Sequence, residues 1–410
     1  MQPSSPSPAP SRKATFAQRA FWWSVLRILT FTLVPILRLS ATGWRTLPRK
    51  EPYLFLSNHV TWVDPFAIGY FCNRRIHYLA SAHWYPRPLI GSFLRLFGTI
   101  PKMKFTSDKN AMVGIEEWYR SGEVVGVFPE GRRTWDGRTL PVLPHIGRLV
   151  KRLDCPVVFC RILTGYYHQP RWAVYPRWAP FRMAYEGPIH YPAQATAEEI
   201  EADIQRRISV DPDAVPVPRW TFGWRMAWGL PNLLWACPHC FALEGLRVDP
   251  ADGNAVRCRA CGAAWRVDVA SHLHPLAGPA VESTVAEAHS RLKEHFGDPP
   301  RADDAPPGVV LQDPCTVAGI GADGTRTILA DGMLQLTPTT LRIRPQEGHD
   351  AWEIPLASLG AVSVEGGATL QIRPPGALVR LEFPDVSVVK WRTFLGRWRD
   401  EAKAAAGASS

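Results

Sequence analysis

Short apolar and β-branched runs alternate with amphipathic stretches through the first half of the chain, and closely spaced strand-like runs fill its last quarter. Residues 53–57, 76–81, 124–128, 157–163 and 182–185 are the short runs, suited to strands covered on both faces. Between them, 65–71, 89–97, 111–120 and 146–153 space their apolar positions as helices do. This alternation predicts an α/β fold, a central and mostly parallel sheet flanked by helices. From about residue 325 the runs 332–336, 341–344, 351–354, 359–364, 368–373 and 379–383 follow one another across turns. A final helix carries Val388, Trp391, Phe394, Leu395 and Trp398 as its apolar stripe. The C-terminal part therefore reads as an antiparallel β domain capped by a helix.

Charge changes the picture at the start of the chain. The net charge is +10, and residues 1–50 hold Arg12, Lys13, Arg19, Arg27, Arg38, Arg45, Arg49 and Lys50 with no acid, so eight of the ten excess charges lie there. Large apolar residues such as Phe21, Trp22, Trp23, Leu26 and Phe31 are interleaved with them, which suits an anionic membrane surface. Nucleic acid is not an expected partner, because the basic residues are spread among apolar ones rather than gathered on a polar face. Arg27, Arg38 and Pro35 leave no unbroken apolar run of the roughly 20 residues a spanning helix needs. The expectation is a helical segment, 15–48, lying in or dipping into one leaflet; a helix packed on the protein's own core is the alternative. Residues 1–14, rich in Pro and Ser, read as a disordered leader without a convincing signal-peptide cleavage site.

Eight cysteines are too few for a disulfide framework in 410 residues, which favours a reducing location at the cytoplasmic face of the membrane. Four have another pattern: Cys237 and Cys240 form one Cys-x2-Cys knuckle, and Cys258 and Cys261 form a second after 17 intervening residues. Four thiolates at that spacing suit tetrahedral Zn2+ in a closed, structural site of a zinc ribbon. The chain then divides into a leader at 1–14, the amphipathic segment 15–48, an α/β domain at 49–213 and a ribbon at 214–272. A helix and linker follow at 273–310, the β domain at 311–404 and a flexible tail at 405–410.

Candidate chemistry concentrates in two runs, 57–65 and 128–134, each placed where an apolar strand ends. The carboxyl ends of strands line the ligand crevice of open α/β sheets, so the two runs can reach one pocket. The first carries His59 and Asp64. A carboxylate on one imidazole nitrogen fixes the tautomer that leaves the other nitrogen free to take a proton from a hydroxyl. Asp64-Pro65 is also what a helix start looks like, and the two roles coexist. The second run carries Glu130, Gly131, Arg132 and Arg133, two of them guanidiniums able to hold phosphate through a planar fork. No Gly-x-Ser-x-Gly elbow or activated cysteine offers a nucleophile for a covalent intermediate.

The two runs together resemble the signatures of the 1-acyl-sn-glycerol-3-phosphate acyltransferase family, Asn-His-x4-Asp and Phe-Pro-Glu-Gly-x-Arg-Ser. His59, Asp64, Glu130, Gly131 and Arg133 match directly, while Arg132 replaces a small hydroxyl residue. Residues 96–104 resemble the second signature, with Lys104 where the family usually has Arg and Lys102 two positions earlier; Cys155 to Arg161 resembles the fourth. Ser81 stands where a Lys is usual. The resemblance implies a membrane-associated O-acyltransferase that uses no catalytic cofactor. It implies His59 as general base oriented by Asp64, with Glu130, Gly131, Arg132, Arg133, Lys104 and Lys102 at the substrate. The acyl donor is acyl-CoA or acyl-carrier protein, and the acceptor a lysophospholipid, lysophosphatidic acid going to phosphatidic acid in phospholipid biosynthesis. The C-terminal strands and helix resemble a pleckstrin-homology-like domain. A non-enzymatic membrane adaptor, binding partners through the ribbon and this domain, is the rival reading. A hydrolase using the same histidine on water is a third.

Overall fold

The computed structural model describes residues 14–72, 74–102, 109–296, 308–321, 325–345, 352–360, 362–365 and 369–408. Two compact units result, Met1–Arg171 with Tyr175–Trp224, and Trp172–Val174 with Arg225–Ser410. Lys104, most of the expected linker and nearly all of the expected leader lie outside the described residues.

In the first unit the order is α1 (Phe16–Leu37), β1 (Ser40–Thr42), β2 (Leu54–Ser57), α2 (Asp64–Cys72), β3 (Ile76–Ser81), α3 (Pro88–Phe97) and β4 (Ile100–Lys102). There follow α4 (Lys109–Arg120), β5 (Val124–Val127), α5 (Ile146–Leu153), β6 (Val157–Ile162), α6 (Gly165–His168), β7 (Arg182–Ile189) and α7 (Ala197–Ile208). The strands form one sheet in the order β1-β7-β6-β2-β5-β3-β4. From β6 to β4 every neighbour is parallel; β7 runs antiparallel to β6, and β1 runs parallel to β7. This is the expected α/β architecture.

Strand β2 shows why its sequence is apolar without a break. Tyr53 and Phe55 join a core with Trp22 of α1, Ile68 of α2 and Phe97 of α3. Leu54 and Leu56 join a second core with Trp118 of α4, Leu149 of α5 and Ile204 of α7. Alternate side chains serve opposite faces, and helices cover both. Strands β1 and β4, three residues each, were not expected, since so short a run has no legible period. Pro101 is tolerated in β4 because that strand is at the sheet edge.

Helix α1 starts with a capping box: Thr15 Oγ1 accepts from Gln18 N–H and Gln18 Oε1 accepts from Thr15 N–H. One side is anchored, with Trp22 buried against Phe97 and Phe21 edge-on to Phe93. Elsewhere Phe16, Trp23, Ile28, Phe31 and Ile36 are exposed. The segment thus combines a docked face with an uncovered apolar one. Among the described residues no helix is long and apolar enough to cross a membrane.

The second unit opens with α8 (Leu230–Leu233) and an antiparallel five-stranded sheet: β8 (Leu246–Val248), β9 (Ala255–Cys258), β10 (Ala264–Val267), β11 (His272–Ala277) and β12 (Ser283–Thr284). Helix α9 (Val285–His295) follows, with Thr284 and Glu287 as its capping box. A seven-stranded antiparallel sheet comes next: β13 (Leu311–Ile320), β14 (Arg326–Leu336), β15 (Thr340–Pro345), β16 (Trp352–Pro355), β17 (Val362–Glu365), β18 (Thr369–Ile372) and β19 (Val379–Glu382). Helix α10 (Val388–Ala408) closes it, Trp391, Phe394 and Leu395 facing inward as their spacing predicted. Strand β13 lies ahead of the point where strand alternation becomes legible, because Asp313 and Pro314 interrupt its pattern. Pro314 fits because β19 pairs with Thr316 to Gly319 only, so the missing N–H falls outside that ladder. Lys390 of α10, almost fully buried, ion-pairs with Glu244 before β8 and, at 2.8 Å, with Asp313 of β13. Burial of a charge requires such partners.

Candidate active site

Parallel pairing of β2 with β5 and β6 sets Leu56 beside Val127 and Ser57 beside Cys160. The chain leaves these strands at the same edge of the sheet, so the loop after Ser57 meets the loop after Val127. Asn58, buried, locks the first loop to β6: its Oδ1 accepts from Ile162 N–H at 2.7 Å and its Nδ2 donates to Ile162 O at 3.1 Å.

His59 then emerges with Nδ1 2.8 Å from Asp64 Oδ2. Asp64 is wholly buried at the first turn of α2, and its oxygens are fully engaged. Oδ2 also accepts from Val60 N–H at 2.7 Å and Thr61 N–H at 2.9 Å, and Oδ1 accepts from Thr61 Oγ1 at 2.5 Å. The carboxylate therefore folds the loop around itself and orients the imidazole, leaving Nε2 without a partner among the described residues. The Phe128 ring stacks on the imidazole at 4.0 Å between centroids, with Tyr78 stacked beyond Phe128 at 5.4 Å.

Glu130, expected among the substrate groups, turns inward. One oxygen accepts from His59 N–H and the other from Leu140 N–H, both at 2.6 Å, and Thr134 N–H donates to His59 O at 3.0 Å. The two signature loops are thereby stitched together through backbone groups. Only 3% of Glu130 is exposed. Burial pushes its carboxyl up to about 8, against the downward pull of those two N–H donors. Gly131 adopts φ of +67°, so the turn favours glycine; a Cβ there would also meet Leu143 Cδ1, the end of an exposed side chain able to move aside.

Arg132 reaches solvent and Arg133 is half-buried. Burial lowers the Arg133 guanidinium from its usual range, while attraction to Asp64 works the other way. No side chain pairs with the Arg133 guanidinium among the described residues; its carbonyl accepts from Arg171 at 2.7 Å. A half-buried cation without a protein counter-ion, near a catalytic-type base, suits an anionic ligand. Lys102 ends β4 directly across the ladder from Ser81 of β3. A cation therefore stands beside the position where Ser81 replaces the usual lysine. Trp62, 60% exposed, donates through Nε1 to Gln169 Oε1 at 3.0 Å.

Asn58 and Phe128 were present in the sequence runs but their contacts were not readable there. Gln169, and His168 beside it at the end of α6, come to the site from the segment after β6, Gln169 through its bond with Trp62. Burial lowers the His168 imidazole, and its Nδ1 has no partner among the described residues.

In the second unit the four cysteine sulfurs lie within 4.8 Å of one another. Cys237 Sγ is 3.9 Å from Cys261 Sγ, and Cys240 Sγ is 3.7 Å from Cys258 Sγ. Tetrahedral bonds of about 2.3 Å separate sulfurs by about 3.8 Å, so the four could hold a metal ion of that geometry.

An α/β sheet whose strand ends present a carboxylate-oriented histidine with an arginine nearby is able to activate a hydroxyl next to an anionic group. Residues 38–163, which contain His59, Asp64, Glu130 and Arg133, match the family model described as Acyltransferase, and curated 1-acyl-sn-glycerol-3-phosphate acyltransferases are similar to part of the chain. The chain is 29% identical over 89 residues to the 1-acyl-sn-glycerol-3-phosphate acyltransferase of Bacillus subtilis, covering 22% of this chain and 45% of that protein. It is 24% identical over 132 residues to the chloroplastic 1-acyl-sn-glycerol-3-phosphate acyltransferase BAT2 of Brassica napus, 32% of this chain and 38% of that one. It thus spans less than half the length of these curated relatives. Among solved structures, the 1-acyl-sn-glycerophosphate acyltransferase PlsC of Thermotoga maritima is similar at 15% identity and a TM-score of 0.40, covering 47% of this chain and 78% of that one.

Proposed function

We propose that the protein is an O-acyltransferase that moves a fatty acyl group from an acyl thioester, acyl-CoA or acyl-carrier protein, to the hydroxyl of a lysophospholipid, lysophosphatidic acid in particular. The observation that carries this reading is the His59–Asp64 pair clamped to the Glu130 loop with Arg133 beside it. His59 Nε2 takes the proton of the acceptor hydroxyl as that oxygen attacks the thioester carbonyl. The tetrahedral adduct collapses, the C–S bond breaks, and His59 returns the proton to the departing thiolate. Asp64 holds the imidazole tautomer and stabilises the imidazolium between the two transfers. Glu130 and Asn58 fix the loops, and Arg133, with Arg132, Lys102 and Lys104, supplies positive charge for the acceptor phosphate.

Work at a membrane surface agrees with the uncovered side of α1 and with Trp62 exposed next to the base, and the cytoplasmic face is proposed from the cysteine usage. The four cysteines are assigned to structural Zn2+, since four sulfurs leave no open position for chemistry. Chelation would then lower hydrogen-exchange protection around residues 237–267; protection unchanged by metal removal would count against the assignment.

The test of the main reading is transfer of a labelled acyl chain from either thioester donor to a panel of lysolipids. His59→Ala should abolish transfer while the protein still sediments with anionic liposomes. Retained turnover would defeat the mechanism, and thioester loss without a new lipid would mark a hydrolase instead.

A further inference from the structure

We propose that Asp268, His272 and His274 form a second metal site, sharing no residue with the four cysteines, for a divalent transition-metal ion of the zinc class. His272 and His274 are two apart on β11 and so share one face of the strand. Asp268, in the turn between β10 and β11, places Oδ2 3.0 Å from His274 Nε2 and 3.5 Å from His272 Nδ1. All three ligand atoms lie within 4.8 Å of one another. Around an ion bound at about 2.0–2.1 Å, tetrahedral donors stand about 3.3 Å apart, and the two measured edges bracket that value.

The surrounding bonds are those of a ligand set. Asp268 Oδ1 accepts from Ala270 N–H and His272 N–H, both at 2.8 Å, which aims Oδ2 at the imidazoles. His274, with Nε2 toward the shared point, has Nδ1 3.2 Å from Glu282 Oε1. A carboxylate behind a ligating histidine fixes its tautomer and raises its basicity. One imidazole would satisfy a surface aspartate, whereas here two converge on the same oxygen. The side chains of Asp268, His272 and His274 are 32–43% exposed, so water completes the coordination and the ion exchanges freely. Two imidazoles and one carboxylate select zinc, copper or nickel over calcium or magnesium. A bound ion would fasten the β10–β11 turn to the strand that follows it, stabilising the folded form by mass action.

Calorimetric titration of the full chain, given one equivalent of Zn2+ for its cysteines and then further ZnCl2, tests this. A second ion per chain is expected, with no comparable uptake of MgCl2. The double variant His272→Ala, His274→Ala should lose at least about 30-fold in affinity for that ion, and Glu282→Gln about 10- to 100-fold. Absence of a second ion, equal binding by the double variant, or equal uptake of magnesium overturns the proposal. Zinc-soaked crystals give an independent measurement if the variants fail to fold: an anomalous peak among the three donors supports the site, and peaks elsewhere alone refute it.

Discussion

Asp64→Asn isolates the charge on which the proposed base depends. Asp64 Oδ2 receives the His59 ring, Val60 N–H and Thr61 N–H, while Oδ1 receives only the Thr61 hydroxyl. An asparagine carbonyl in the Oδ2 position keeps the first three bonds, and its NH2 meets a hydroxyl that can rotate to accept. The loop should therefore survive, unlike in Asp64→Ala, which strands all four donors at about 1–3 kcal/mol each. What disappears is attraction between the carboxylate and the imidazolium formed in transfer. With charge centres about 4 Å apart and an effective dielectric near 20, that is about 4 kcal/mol, or roughly a thousandfold in rate. Release of free thiol from acyl-CoA, measured with labelled lysophosphatidic acid as acceptor, should fall by that order while the melting temperature changes little. In a His59→Ala background the same change should cost almost nothing, because the carboxylate acts through the ring. A variant within a few-fold of the parent, or one whose loss adds fully to that of His59→Ala, refutes the reasoning.

Arg133→Ala should raise KM for a phosphate-bearing acceptor by about 10- to 100-fold with a smaller change in kcat, and should narrow the preference over an uncharged monoacylglycerol; steady-state kinetics on both acceptors decides it. Asn58→Ala leaves Ile162 N–H and C=O buried and unpaired, so urea unfolding should show a loss of about 2–4 kcal/mol together with reduced transfer, and full stability would contradict the lock described above. The pH dependence of stability should carry a His168 component. Burial holds this imidazole below its ordinary value, so the unfolded chain binds the proton more tightly; the contribution is complete above about 6.5 and fades as pH falls through the lowered folded value. Urea midpoints between pH 7.5 and 5 should therefore slope less in His168→Gln than in the parent, and identical slopes would remove His168 from the account.

Legibility from sequence followed the range of the interaction. His59 and Asp64 lie five residues apart across one tight loop, and the two Cys-x2-Cys knuckles are equally local, so chemistry and spacing announced both. Alternating apolar runs likewise specified the parallel sheet, because strands covered on both faces need unbroken apolar sequence.

Tertiary structure decided the rest. Glu130 was legible as part of a signature, but its inward turn onto two backbone N–H groups depends on where β2 and β5 end relative to each other. The Asn58 lock needs β6 alongside β2, and Lys102 stands next to Ser81 only through the register of β3 with β4. Helix α1 read as apolar and basic, yet which face met the core and which stayed uncovered was fixed by α2 and α3. Sequence sets which groups exist and how near neighbours bond; strand register and packing set which distant groups meet, because those energies depend on contacts that no local pattern encodes.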